Sequence, residues 1–181
     1  MAEFVSGVGG SELGVELKLE KVYSDIKAPI VRYEPEIFPA LHLGFSEEMP
    51  LITVFHSGHY NISGGPNVND LYKTNDKFIN ALEHMLERNV SEGVGSFELR
   101  NLVYKTDADT EFDLNEMVML LGLESAEYDP EQFPGLIYRP KNEDYIFLIY
   151  RTGSIILTGI KIQSKVDEAF SKLYEKIEVA I

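Results

Sequence analysis

The segment Tyr33-Glu34-Pro35-Glu36-Ile37-Phe38-Pro39-Ala40-Leu41 returns as Tyr128-Asp129-Pro130-Glu131-Gln132-Phe133-Pro134-Gly135-Leu136, a displacement of 128 − 33 = 95 residues in a chain of 181. The same shift pairs Phe55 with Tyr150, Ser57-Gly58 with Thr152-Gly153, and Ser63-Gly64 with Thr158-Gly159. Read backwards, it pairs Val8 with Val103, Glu16 with Glu111 and Leu19 with Leu114, with no gap needed from about residue 4 to residue 64. A chain built by duplication must fold as two copies of one unit, and two copies are too few for a solenoid. One closed, pseudo-symmetric body is therefore expected, with repeats at 1–90 and 96–181.

Within the second copy, Phe97 to Val103 opens with the apolar–polar alternation of a half-buried strand. Asp113 and Glu116 are spaced as a capping box, and Leu114, Met117, Leu120 and Leu121 follow at helical spacing. Strand-like runs over 132–139, 145–151 and 154–160 are separated by short polar or glycine-containing links. Val166, Phe170, Leu173 and Ile177 then predict a closing amphipathic helix. The first copy repeats this plan: a strand over 4–8, a helix carrying Leu19, Val22 and Ile26 that Pro29 must end, and a closing helix from Val68 to Arg88. Aligning Phe78 with Phe170 changes the shift to 170 − 78 = 92, so three residues near Pro66 to Asn69 are extra. Residues 89–95 are the expected linker. The fold class is α+β: antiparallel strands backed on one face by helices leave the other face open, and function is expected on that open face.

Bulk properties narrow the function. The net charge of −14 repels phosphate backbones, an objection that any nucleic-acid reading must meet. Cysteine is absent, which removes disulfides, thiolate nucleophiles and sulfur metal sites. His42, His56, His59 and His84 are not spaced as a ligand set, so no metal and no cofactor are expected. Gly7, Gly9, Gly10 and Gly14 lack the lysine of a phosphate loop and suit a strand end and turn. Glu34, Glu36, Asp129 and Glu131 have no nucleophile or base placed beside them, so no catalysis is expected. No apolar run is long enough to span a membrane, and residues 1–7 lack the features of a signal peptide. A cytoplasmic protein follows.

Phe133-Pro134-Gly135-Leu136-Ile137-Tyr138-Arg139, Leu148-Ile149-Tyr150-Arg151-Thr152-Gly153 and Leu157-Thr158-Gly159, with Arg100-Asn101-Leu102-Val103 ahead of them, resemble in order and spacing the second repeat of the TATA-binding protein family. The likeness covers essentially the whole chain, duplication included. It implies an archaeal-type, nucleoid-associated initiation factor (nuclear if eukaryotic), a monomer or weak homodimer. It also implies a saddle: one curved antiparallel sheet with helices on the convex face, whose concave face widens the minor groove of A·T-rich promoter DNA and wedges aromatic rings into base steps. That mechanism belongs to the resemblance, this family being its type case.

Carried over by position, the wedges are Phe38 and Phe55 in the first copy and Phe133 and Tyr150 in the second, with Pro134 beside Phe133. An apolar ring replaces lost base stacking when a step is opened, whereas Tyr150 brings a hydroxyl that needs a partner. Asn101 matches the family's groove-contacting asparagine, and its first-copy counterpart is the shorter Ser6. Val8, Val103, Leu148 and Ile156 match apolar groove contacts, and Ser63 and Thr158 match the hydroxyl position. Against these roles stand ordinary ones, core packing for strand aromatics and a ladder-end role for Asn101. Arg139 and Lys161 match phosphate-contacting positions, but their first-copy counterparts are Gly44 and Pro66, so weak counterion release is expected. The resemblance places a transcription factor B partner on the acidic loop at Asp129, Glu131 and Gln132. The alternative is a divergent regulatory or protein-interaction module with weakened DNA binding, favoured by Ser6, Gly44, His59, Asn61, Tyr150 and Ser154.

Overall fold

The computed structural model describes residues 2–87, 89–90 and 93–177. Its strands are β1 (Glu3–Glu12), β2 (Ile30–Tyr33), β3 (Ala40–Gly44), β4 (Leu51–Phe55), β5 (His59–Ser63), β6 (Glu98–Asp107), β7 (Ala126–Glu127), β8 (Leu136–Tyr138), β9 (Ile146–Ile149) and β10 (Ser154–Ile160). The helices are α1 (Leu19–Asp25), α2 (Val68–Leu86), α3 (Leu114–Leu121) and α4 (Val166–Ile177). The first five strands hydrogen-bond in the order β2-β3-β4-β5-β1 and the last five in the order β6-β10-β9-β8-β7.

Two compact units share these elements: the described residues of Ser6–Arg100 form the N-terminal unit, and those of Met1–Val5 and Asn101–Ile181 form the C-terminal unit. Their border falls inside β1 and β6, so each unit takes the opening residues of a strand that the other completes. In the N-terminal unit, Leu41, Leu43, Ile52, Val54, Tyr60 and Ile62 alternate with half-exposed residues and are wholly buried under α1 and α2. Asn67 caps α2 by accepting from the Asp70 N–H, and the helix lays Leu71, Phe78 and Leu82 on the sheet, Phe78 edge-on to Tyr60 at 5.0 Å. Burial pushes the Tyr60 phenol up to about 12, so it remains a donor, reaching Asn75 Oδ1 at 2.6 Å. In the C-terminal unit, Leu102, Leu136, Phe147, Ile149, Ile155 and Leu157 play the same part beneath α3 and α4. Asp113 caps α3, accepting from the N–H groups of Asn115 and Glu116, as its spacing predicts.

The duplication holds at the level of single hydrogen bonds. Leu13 N–H donates to Gly58 O and Ala108 N–H to Gly153 O; Leu17 N–H donates to His56 O and Phe112 N–H to Arg151 O. Gly58 and Gly153 both sit at positive φ, 86° and 89°, and a Cβ there would run into backbone carbonyl oxygens of Val15 in one case and Thr110 and Ala108 in the other. Glycine is required at these hairpins.

Two details differ from the sequence reading. The run over 132–139 begins its strand only at Leu136, because Gln132 and Phe133 close a turn onto Asp129 O. Short outer strands β2 and β7 are also present. Of the expected linker 89–95, Ser91 and Glu92 lie outside the described residues, as does Arg88 at the expected end of α2.

Candidate nucleic-acid interface

In each unit the face away from the helices carries the half-exposed side chains. Two turns of like construction present aromatic rings beside it. Phe38 N–H donates to Glu34 O, and Phe133 N–H donates to Asp129 O. Phe38 stands 6.3 Å from Phe55, inclined at 66°, and Phe133 stands 5.9 Å from Tyr150 at 60°. Phe38 is 43% exposed, an unusual state for a phenylalanine beside a strand and one that core packing does not explain. Gly135 gives the second pair room: a Cβ there would lie 2.8 Å from the Phe133 ring and 3.1 Å from that of Tyr150.

Asn101 has a defined orientation. Its Oδ1 accepts from the Gly159 N–H at 2.7 Å and from the Thr158 hydroxyl at 3.3 Å, which turns the amide NH₂ outward as a donor. At the equivalent place in the N-terminal unit, Gly64 N–H donates instead to Gly7 O, and the short Ser6 side chain takes no part. Val8 pairs with Ser63, and Leu148 with Ile156, each placing small or apolar groups on the open face.

Charge on this face is sparse. Glu12 and Asp107 stand at strand ends, Glu12 3.2 Å from His59 and Asp107 3.0 Å from Lys105. The hydrogen bond from Lys105 holds the Asp107 carboxyl below the usual carboxylate range. Other basic residues are also matched by carboxylates: Arg139 with Glu127 at 3.4 Å, Lys141 with Glu124 at 2.7 Å, and Arg151 with Glu111 at 3.7 Å. Arg139 thus enters any phosphate contact already paired, whereas Lys161 is exposed.

The acidic turn is built by one of its own residues. Asp129 accepts from the Glu131 N–H at 3.0 Å and the Gln132 amide at 2.7 Å, so it shapes the loop, while Glu131 stays exposed.

Two side chains outside the family motifs also reach the open face. Arg100 lays its guanidinium over Gly10 and donates to Asn61 Oδ1 at 2.7 Å, and His42 Nδ1 lies 3.1 Å from Thr53 Oγ1. Among the described residues no cluster of three potential metal ligands exists, and no helix is long and apolar enough to cross a membrane.

The fold and site define a class of protein in which a duplicated antiparallel α+β unit borders a face of sparse charge with paired aromatic rings. The family model for "Transcription factor TFIID (or TATA-binding protein, TBP)" matches residues 3–85 and 96–180. TATA-box-binding protein C of Halobacterium salinarum is 34% identical over 178 residues, covering 97% of this chain and 97% of the relative. The TATA-box-binding protein of Picrophilus torridus is 31% identical over 171 residues, covering 94% and 91%. The solved structure of Methanococcus jannaschii TBP superposes with a TM-score of 0.76 at 27% identity, covering 98% of both chains. The chain belongs to the TATA-binding protein family, a family of transcription factors without catalytic activity.

Proposed function

We propose that this protein is a transcription initiation factor that binds A·T-rich promoter DNA through the minor groove, bends it, and recruits a transcription factor B homologue. The observation that carries the reading is the pair of ring clusters at equivalent turns of the two units, exposed Phe38 with half-buried Phe55, and Phe133 with Tyr150, both half-buried. Rings of this kind replace base stacking at an opened step. The minor groove of A·T pairs offers only acceptors, without the guanine amino group. The outward amide of Asn101 and the hydroxyl of Ser63 supply donors, while Val8, Val103, Leu148 and Ile156 need a floor without protruding groups.

The net negative charge does not oppose this reading, because the strands of the open face carry few carboxylates, and Glu12 and Asp107 lie against His59 and Lys105. It does set the salt response. With Lys161, Arg139 and few other cations to release counterions, the slope of log K against log salt is expected to be about −3 or shallower. Titration of A·T-rich and G·C-rich duplexes across a salt series checks this: preference for the A·T duplex with a shallow slope supports the reading. Equal, feeble binding to both would instead favour a protein-interaction module.

Glu131 is the proposed contact to transcription factor B, since it projects from a turn whose shape Asp129 already holds. Glu131→Arg is expected to weaken capture of that partner by about tenfold or more through charge reversal, leaving binary DNA affinity within about twofold. Asp129→Ala, by loosening the turn, is expected to disturb both.

A further inference from the structure

The two open faces are not chemically alike, although their strands are in identical register. Across the C-terminal unit, cross-strand pairing lines up Glu127, Ile137, Leu148, Ile156 and Lys105 in one row. A shift of 95 residues gives the corresponding row of the N-terminal unit, Arg32, His42, Thr53, Asn61 and Gly10. Three apolar residues at the middle of one row are thus a histidine, a threonine and an asparagine in the other. Gly10, which has no side chain, is covered by the guanidinium of Arg100, and that group donates to Asn61 Oδ1. The Thr53 hydroxyl is held by His42. This row is ordered by its own hydrogen bonds and exposes both donors and acceptors.

Resting on the DNA-binding reading, we propose that the N-terminal unit accepts guanine-containing base pairs in the minor groove, while the C-terminal unit is restricted to A·T pairs. The guanine 2-amino group projects into the groove and needs an acceptor. Thr53 Oγ1 and Asn61 Oδ1 provide acceptors, and Arg100, with the Asn61 amide NH₂, donates to the O2 and N3 acceptors that every pair presents. Leu148 and Ile156 offer the amino group nothing, so covering it with them buries an unpaired donor. That difference amounts to about ten- to a hundredfold in affinity. The preferred element is therefore asymmetric, and the asymmetry orients the protein on it.

The test compares three duplexes that keep the same pyrimidine–purine steps at the wedge positions, so that bending costs match: all A·T inside, one half-element with G·C pairs, and both halves with G·C pairs. Affinities are read by fluorescence anisotropy at one salt concentration for the wild type and for Thr53→Leu/Asn61→Ile, which copies Leu148 and Ile156. The wild type is expected to bind the one-half duplex within about threefold of the all-A·T duplex, because it can turn its N-terminal unit to the G·C half, and to lose tenfold or more only on the third duplex. The double variant is expected to bind the one-half duplex tenfold or more weakly than its own all-A·T duplex, whatever its all-A·T affinity. Asn61→Ile alone, with thermal unfolding recorded alongside, gives the same direction should the double variant fold poorly. A wild type that loses tenfold on the one-half duplex, or a variant that tolerates it, would overturn the selectivity while tight all-A·T binding upholds the DNA reading. Failure of both proteins to bind any duplex would overturn that reading itself.

Discussion

Phe133→Ala is expected to lower affinity for an A·T-rich duplex by about ten- to a hundredfold, and Phe38→Ala/Phe133→Ala to reduce it to the level of a G·C-rich duplex. The reason is geometric. Each ring is held by a backbone turn outside the core, Phe38 onto Glu34 O and Phe133 onto Asp129 O; Phe133 lies 5.9 Å from Tyr150, and Phe38 lies 6.3 Å from Phe55 and stacks on His42 at 5.4 Å. A ring covering an exposed base face contributes roughly 1–3 kcal/mol, which alanine forfeits. Because these rings are not interior, the folded state should lose less than about 1 kcal/mol. Anisotropy titration alongside chemical denaturation separates the two quantities. Tyr150→Phe, by removing a hydroxyl from the ring beside Phe133, is expected to leave binding unchanged or to tighten it.

Phe147→Ala should behave in the opposite way. Phe147 lies in the strand next to Tyr150 but on the helix side, only 1% exposed, with Tyr138, Tyr145 and Phe170 at 6.2, 5.7 and 5.5 Å. Truncation leaves a cavity among three rings and is expected to cost about 3–5 kcal/mol. At roughly 2–4 °C per kcal/mol for a chain of this size, the Tm should fall by roughly 10 °C. Guanidinium unfolding measures the loss, while DNA affinity at low temperature, where the variant is still folded, should change little. Two phenylalanines of one unit, 14 residues apart in sequence (133 and 147), thus separate binding from stability.

The sequence makes much of this legible because duplication tests every pattern twice. The Asp113 cap, the stripe of α4 and the hairpin glycines Gly58 and Gly153 could be read directly, and the α+β class with helices behind an antiparallel sheet is what the structure has. Periodicity extended the strand before Leu136 too far, since Gln132 and Phe133 alternate like strand residues but are bound into a turn by Asp129. The two-residue β7 carries no periodic signal at all. The polar row of the N-terminal unit was present in the alignment of repeats, as Thr53 against Leu148 and Asn61 against Ile156, and Asn61 alone stood out. What could not be read was Arg100: it belongs to β6, and only three-dimensional pairing brings its guanidinium over Gly10 of β1. Side chains that serve a site from a distant strand leave no local spacing to detect.

Rings that pry open base steps must bend the duplex. Energy transfer between dyes at the two ends of a short A·T-rich duplex measures this directly. Transfer is expected to rise on saturation with the wild-type protein and to stay at the free-DNA value with Phe38→Ala/Phe133→Ala at concentrations that saturate the wild type. Tight binding by the wild type with no change in end-to-end distance would contradict it.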